Sequence, residues 1–130
     1  MSESEGAVRL GSAVIDTDDP AGLAAFYAAL LGWPVHRQEE TWICLTGPGG
    51  LEIAFQFSIG HRPPTWPDPD VPQQLHLDFY VQDLPAAVER ALDLGARTAG
   101  VPDDEQVVIL VDPSGHPFCL CLAPERRQIP

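Results

Sequence analysis

The sequence predicts one α+β domain over residues 1–130, built from two βαβββ modules. Three observations predict this class. Two segments carry apolar residues at helical spacing, and each follows a strand-like segment and precedes three more. The two halves repeat this order. In addition, VIDTDDPAGLAAFYAALLGW and FYVQDLPAAVERALDLGA align at an offset of 64 residues, with their aspartates, prolines and helix-ending glycines matched to within one residue. Such repetition is typical of a duplicated supersecondary unit.

Module one is predicted over about residues 8–57. VRLGSAVID, residues 8–16, is strand-like, and DDPAGLAAFYAALLGW follows it as a helix. Asp19 is the expected N-cap, Pro20 suits the first helical turn, and Gly32 ends the helix. PVHRQ, TWICLT and LEIAFQF are the three further strands, and TGPGG is a turn between the last two.

The segment SIGHRPPTWPDPDVP, about residues 58–72, joins the modules. Its five prolines exclude a helix or a central strand. It is long for a connection inside a domain, so a lid, a plain linker and a dimer contact all remain open. Trp66 in this linker is either a stacking surface at the mouth of a pocket or an anchor for the loop.

Module two is predicted over about residues 73–122. QQLHLDFYV is its first strand, and DLPAAVERALDLG is its helix, with Asp83 as N-cap and Gly95 as the stop. ARTAG, QVVILVD and PFCLCLA complete the repeat. DPSG forms the turn before the last strand.

Composition narrows the classes of function. The net charge is −12 and the pI about 4.4, which argues against binding to nucleic acid or to an anionic membrane surface. The acidic start lacks a signal pattern, and no apolar run is long enough to span a bilayer, so a cytoplasmic protein is expected. Three cysteines, an odd number, are expected to be reduced thiols.

The segments DDPAGLAAFYAALLGW, HLDFYVQDLPAAVERALDLGA and DPSGHPFCL resemble the vicinal oxygen chelate (VOC) superfamily, which includes the glyoxalase, bleomycin-resistance and extradiol dioxygenase families. The resemblance covers roughly residues 8–122. It implies sheets that curl into a half-open barrel around a small-molecule pocket, and a homodimer. RPPTWPDPDVPQQLHLD looks more narrowly like small glyoxalase-like proteins of the actinobacterial type.

The resemblance also implies positions for a divalent metal, one on each of four strands. They fall on Ser12, on Glu52 (or Ala54, if the preceding glycines are aligned), on His76 and on Cys119. Serine is not a usual ligand, and glutamate is usual where Cys119 stands. No metal or other cofactor is therefore expected, although a divalent metal held by Glu52, His76 and Cys119 stays open.

Strand alternation predicts which side chains share a face. If His76 points into the pocket, so do Asp78 and Tyr80. The full set predicted to line the pocket is Ser12, Glu52, Gln56, Trp66, His76, Asp78, Tyr80, Cys119 and Cys121.

Two roles are possible for each candidate residue. His76 and Glu52 are the predicted catalytic pair, with Glu52 as general base or, alternatively, as a solvated carboxylate at the pocket mouth. Asp78 either orients His76 or bonds elsewhere. Cys119 is a nucleophile only if a nearby cation lowers its pKa, and otherwise packs as a small apolar residue.

The remaining histidines and Cys44 are interpreted as structural or surface residues. His36, His61 and His116 are expected to be exposed or in a hairpin, and Cys44 is expected to be a buried packing residue.

Three functions follow. The first is a glyoxalase-like pocket protein without the usual metal, with lyase or isomerase chemistry if it is an enzyme. The second is a drug- or metabolite-binding protein without catalysis. The third is a metal-dependent VOC enzyme. The fold does not decide among them, and the ligand is not readable from the sequence.

Overall fold

A computed structural model describes residues 8–100 and 104–126. The predicted domain ends, 1–7 and 127–130, and residues 101–103 lie outside the described residues. In the described ranges, two α-helices and eight strands follow one another in the order of the predicted repeat. They are β1 Ala13–Thr17, α1 Pro20–Leu31, β2 Val35–Glu39, β3 Trp42–Thr46, β4 Glu52–Phe57, β5 Leu77–Val81, α2 Leu84–Leu94, β6 Arg97–Thr98, β7 Val107–Val111 and β8 Pro117–Leu122.

The strands form two four-stranded sheets of identical topology. Their orders are β1-β4-β3-β2 and β5-β8-β7-β6. The first strand of each module runs parallel to the last, and the other pairs are antiparallel. This open, mixed arrangement confirms the predicted α+β fold of paired βαβββ modules.

Both helices begin and end at the predicted residues. The carboxylate of Asp19 accepts a hydrogen bond from the amide of Gly22 (3.0 Å), and that of Asp83 accepts one from the amide of Ala86 (3.1 Å). These bonds satisfy amides that have no partner inside the helix. Gly32 terminates α1 with a φ of 70°, in the left-handed region that favours glycine.

The first strand of each module is shorter than predicted. Pairing of β1 with β4 starts at Ala13 opposite Ile53, and pairing of β5 with β8 starts at Leu77 opposite Phe118. Residues 8–12 and 73–76 precede these pairs and are not strand, so the prediction was wrong there. Apolar alternation marks residues that suit a strand, but a strand also needs a neighbour to receive its backbone hydrogen bonds.

The core lies between the helices and the sheets and is shared by both modules. Tyr27 of α1 stacks on Phe55 of β4 with ring centroids 5.5 Å apart, and its ring also lies 6.1 Å from those of Phe79 and Phe118 in module two. Phe118 and Leu120 of β8 are buried in the same core. Because one aromatic cluster joins both sheets, the modules pack as one unit.

The proline-rich linker is docked against module two. A Cβ on Gly115, in the turn before β8, would overlap the side chain of Pro63. Thr65 and Val71 close the linker on itself, through a backbone hydrogen bond of 2.7 Å and through the Thr65 hydroxyl. Within the described ranges, no helix is long and apolar enough to cross a membrane.

Candidate functional site

Three potential metal ligands meet at the start of β5 and on β8. Nε2 of His76 lies 3.1 Å from Oδ1 of Asp78, so the predicted orienting contact is present. Asp78 stands opposite Cys119 in the parallel β5–β8 register. One donor atom from each of the three residues lies within 4.8 Å of the others. This cluster, His76–Asp78–Cys119, differs from the predicted set because Asp78 takes the place of Glu52.

The thiol of Cys119 is not activated as a nucleophile. Burial, together with a hydrogen bond to the nearby carboxylate of Asp78 and its negative charge, raises the pKa of Cys119 to about 12. Only 8% of the residue is exposed. A nucleophilic cysteine needs a lowered pKa, so the nucleophile reading does not fit this environment.

The sheet registers identify the counterpart of Cys119 in module one. Asp78 pairs with Cys119, and Val14, which matches Asp78 at the offset of 64, pairs with Ala54. Ala54 therefore occupies the equivalent position, and Glu52 stands two residues before it. Since neither Ala54 nor the half-buried Ser12 supplies a usual ligand, the four-strand metal site that the resemblance implies is incomplete in module one.

Glu52 interacts with Cys44 inside module one. Its carboxylate accepts a hydrogen bond from the thiol of Cys44 (2.9 Å). Burial and this carboxylate raise the pKa of Cys44 to about 11. Cys44 is buried at 3% exposure, as predicted, but its thiol also makes a polar contact that the packing interpretation omitted.

A cavity of about 320 Å³ lies beneath the linker, and residues of β1 and of the start of β5 form part of its wall. Its polar groups come from Asp16, His61, Arg62, His76 and His116. Its remaining lining residues are mostly apolar: Val14, Ile15, Tyr27, Pro64, Val71, Pro72, Gln74, Leu75, Leu77 and Pro117.

Of the side chains predicted to line the pocket, His76 reaches this cavity. The lining found within the described ranges includes none of the others: Ser12, Glu52, Gln56, Trp66, Asp78, Tyr80, Cys119 and Cys121. Trp66 instead lines a second pocket, beside Arg97 and Val111. Tyr80 is 66% exposed, and Cys121, its partner in the β5–β8 register, is buried.

Two residues that line the cavity, His61 and His116, were not predicted from the sequence to do so. Both were expected to be exposed or in a hairpin, and both are half-buried with ring centroids 5.1 Å apart. Nε2 of His61 lies 3.0 Å from the carbonyl oxygen of Ser114, and Nε2 of His116 lies 2.7 Å from that of Asp16. The signal available in the sequence was the pair of turn motifs, IGH and SGH, each placing a histidine directly after a glycine.

A buried network holds the turn that carries His116. The hydroxyl of Tyr27 donates to Oδ2 of Asp112 (2.7 Å), and Oδ1 accepts from the amides of Ser114 (2.9 Å) and His116 (3.0 Å). Burial and the charge of Asp112 hold the pKa of Tyr27 well above its usual value. The DPSGH segment is therefore fixed against module one.

Comparison with known families supports the class that this fold suggests. A family model described as a glyoxalase-like domain matches residues 12–121. The chain belongs to this glyoxalase-like family, within the vicinal oxygen chelate superfamily. No curated protein matches the sequence.

Solved structures share the fold at low sequence identity. A glyoxalase family protein from Enterococcus faecalis is 20% identical, with a TM-score of 0.66 over 89% of this chain and 98% of its own. A glyoxalase/bleomycin resistance protein/dioxygenase family enzyme from Burkholderia phytofirmans PsJN is 17% identical, with a TM-score of 0.67 over 87% and 97%. The oxidase ChaP-H2 is 22% identical, with a TM-score of 0.64 over 91% and 95%. The names of these proteins indicate different chemistries, so the structural likeness supports the fold alone.

Proposed function

We propose that the protein binds a small organic molecule in the cavity beneath the linker. The observation that carries the proposal is the cavity itself. Its volume of about 320 Å³ falls at the lower end of the range of ligand pockets, roughly 300–1,000 Å³. Apolar walls with a few polar groups are also typical of such pockets, because the walls supply affinity and the polar groups fix orientation.

The polar groups suggest how a ligand is oriented. His76 has an acceptor at hand in Asp78, and it offers its ring at the cavity wall. Arg62 has no acidic partner among the described side chains, so its guanidinium is available to an anionic group of the ligand. Asp16 is exposed and can receive a cationic group. A small molecule with an apolar body and one or two polar ends suits this lining.

Binding without catalysis is the form of the proposal that the geometry favours over lyase or isomerase chemistry. Acid–base catalysis with the predicted pair needs both groups within hydrogen-bond reach of one substrate. His76 lines the cavity, whereas Glu52 bonds the Cys44 thiol and does not line it. The high pKa of Cys119, about 12, also argues against thiolate chemistry.

A thermal-shift screen of metabolites and antibiotics tests the proposal, followed by calorimetry on each hit. A ligand at about 100 times its Kd stabilises the folded state by about 2.7 kcal/mol. We expect His76→Ala to weaken the binding of a hit and His36→Ala, an exposed change on β2, to leave it unchanged. A hit that binds equally well to His76→Ala and to a variant carrying Leu77→Trp in the cavity wall would refute the assignment of the cavity.

Each hit is then incubated with the protein and analysed by mass spectrometry for conversion. Recovery of the intact compound supports a sequestering protein. Turnover that disappears in both His76→Ala and Glu52→Gln supports the enzyme that the sequence analysis placed first.

A second candidate, a metal-dependent enzyme, is favoured by the His76–Asp78–Cys119 cluster. Imidazole, carboxylate and thiolate ligands together suit zinc, and three protein ligands leave a position for substrate. Since a pKa of about 12 keeps the Cys119 thiol protonated at neutral pH, metal binding would release its proton and depend on pH. Elemental analysis of protein purified without an affinity tag tests this. One equivalent of metal, lost in both His76→Ala and Cys119→Ser, supports it, and an empty cluster after dialysis against zinc refutes it.

We also propose that the protein is a homodimer, as the resemblance implies. Support comes from apolar side chains that stay exposed on the strands, where Tyr80, Phe57 and Val14 are 66%, 43% and 39% exposed. Exposed apolar side chains, when they form a continuous patch, are common at interfaces between protein subunits. Light scattering is expected to give a mass near twice 14.1 kDa, and a mass of one chain at all concentrations would contradict the proposal.

A further inference from the structure

We propose that His61 and His116 form a binding site for a divalent transition-metal ion, separate from the His76–Asp78–Cys119 cluster. His61 comes from the linker and His116 from the turn before β8, and their ring centroids are 5.1 Å apart in the cavity wall. Imidazole nitrogen suits zinc, copper and nickel. The inference does not depend on the proposed organic ligand, since a metal ion alone is the probe.

The hydrogen bonds determine which nitrogen each ring can offer. Both Nε2 atoms face backbone carbonyl oxygens, those of Ser114 and Asp16. A carbonyl oxygen only accepts, so each Nε2 must carry the proton and donate it. In the neutral rings, Nδ1 is then the unprotonated nitrogen and holds the lone pair. This is the usual arrangement around a metal-binding histidine, whose other ring nitrogen donates to a carbonyl or a carboxylate.

The distance between the rings fits one shared ion. With metal–nitrogen bonds of about 2.0–2.1 Å and tetrahedral angles, two imidazoles on one zinc ion have centroids roughly 5 Å apart. The separation of 5.1 Å in this structure agrees with that value.

The backbone holds both histidines in place before any ion arrives. The amide of His61 donates to the carbonyl of Ser58 (3.2 Å), and the amide of His116 donates to Asp112 (3.0 Å). The contact between Pro63 and Gly115 brings their two segments together. A site on pre-positioned segments binds more tightly, because less freedom is lost on binding.

The site is expected to be open. Within the described ranges, the only group of three or more potential ligands is the His76–Asp78–Cys119 cluster, so the histidine pair has no third protein donor close by. Water or an oxygen of a cavity ligand would complete the coordination. The pair is therefore expected to bind copper more tightly than zinc, following the general order of affinities.

The test uses the full chain without an affinity tag and with His76→Ala and Cys119→Ser, which disable the other cluster. Calorimetry with Cu²⁺ and with Zn²⁺ is expected to show one site. His61→Ala and His116→Ala should each weaken it at least tenfold, and His36→Ala should not. The electron paramagnetic resonance spectrum of bound Cu²⁺ is expected to show hyperfine splitting from two nitrogens.

His61→Gln serves as a second variant. The substitution removes the imidazole, and the glutamine amide can still donate to the carbonyl of Ser114. Circular dichroism confirms that each variant is folded. The proposal is overturned if the folded His61→Gln and His116→Ala variants bind Cu²⁺ as the parent does, or if the bound copper shows no nitrogen splitting.

Discussion

Asp78→Asn tests whether the carboxylate beside Cys119 suppresses its ionisation. In the structure, burial is the largest cause of the raised pKa of Cys119, and the hydrogen bond to Asp78 and the charge of Asp78 follow. Asparagine keeps the size of the side chain and removes its charge. The pKa of Cys119 should therefore fall from about 12 but stay above the ordinary thiol value of 9.0, because the burial remains.

The magnitude follows from the fraction of thiolate. At pH 9, a thiol with a pKa of 9.0 is half ionised, whereas one with a pKa of about 12 is ionised to about one part in a thousand. The rate of alkylation by iodoacetamide is proportional to the fraction of thiolate. Cys119 should react on the order of a hundred times or more slowly than an ordinary thiol at this pH. Its rate should rise about tenfold for each further pH unit.

The assay is alkylation at pH 8 to 11 in native protein, followed by mass spectrometry of the peptides. Cys44 is an internal control because its thiol bonds Glu52 and its pKa is about 11. Asp78→Asn should accelerate the alkylation of Cys119 and leave that of Cys44 unchanged. Glu52→Gln should accelerate the alkylation of Cys44 and leave that of Cys119 unchanged. A Cys119 that titrates near pH 9 in the parent, or an unchanged profile in Asp78→Asn, would refute the reasoning. Alkylation of denatured protein corrects for intrinsic reactivity.

Two further predictions concern the joint between the modules. Tyr27→Phe removes the buried hydrogen bond to Asp112, so urea denaturation should show a loss of about 1–3 kcal/mol in the free energy of unfolding. Gly115→Ala places a Cβ against Pro63 at a φ of +93°, and should cost more than about 1 kcal/mol and expose the linker to limited proteolysis. Gly60→Ala, at a φ of +71° with nothing nearby, should show the backbone strain without the overlap.

The controls separate these effects from general damage. Tyr80→Phe changes a hydroxyl on a residue that is 66% exposed, and should alter stability by less than about 0.5 kcal/mol. If Tyr27→Phe costs no more than Tyr80→Phe, the buried bond does not contribute as argued. If Gly115→Ala is cleaved in the linker no faster than Gly60→Ala, the Pro63 contact does not hold the linker.

Much of the fold could be predicted because local signals agree with the tertiary arrangement. Each helix was predicted to start after an aspartate that is followed within two residues by proline, and to end at a glycine. The structure has both helices with these caps. The repeat at an offset of 64 correctly predicted two equivalent sheets. The prediction failed at residues 8–12 and 73–76, because no strand in the described part of the chain pairs with them.

The candidate site could be predicted only in part. Alternation placed His76 and Asp78 on one side, and they are in contact at 3.1 Å. The contact of Asp78 with Cys119 required the β5–β8 register, which determines the residues that face each other across two strands. Alternation alone gives the face of a side chain and says nothing about its neighbour on the next strand.

The sequence by itself determined the class of fold, the helix ends and the duplication. These depend on periodicity and on local backbone preferences, which are written into neighbouring residues. Only the tertiary structure decided that Glu52 bonds Cys44 away from the cavity, and that His61 and His116 come together although 55 positions separate them in the chain. The physical reason is that a docked linker and a strand register join distant segments through packing and hydrogen bonds that no local pattern encodes.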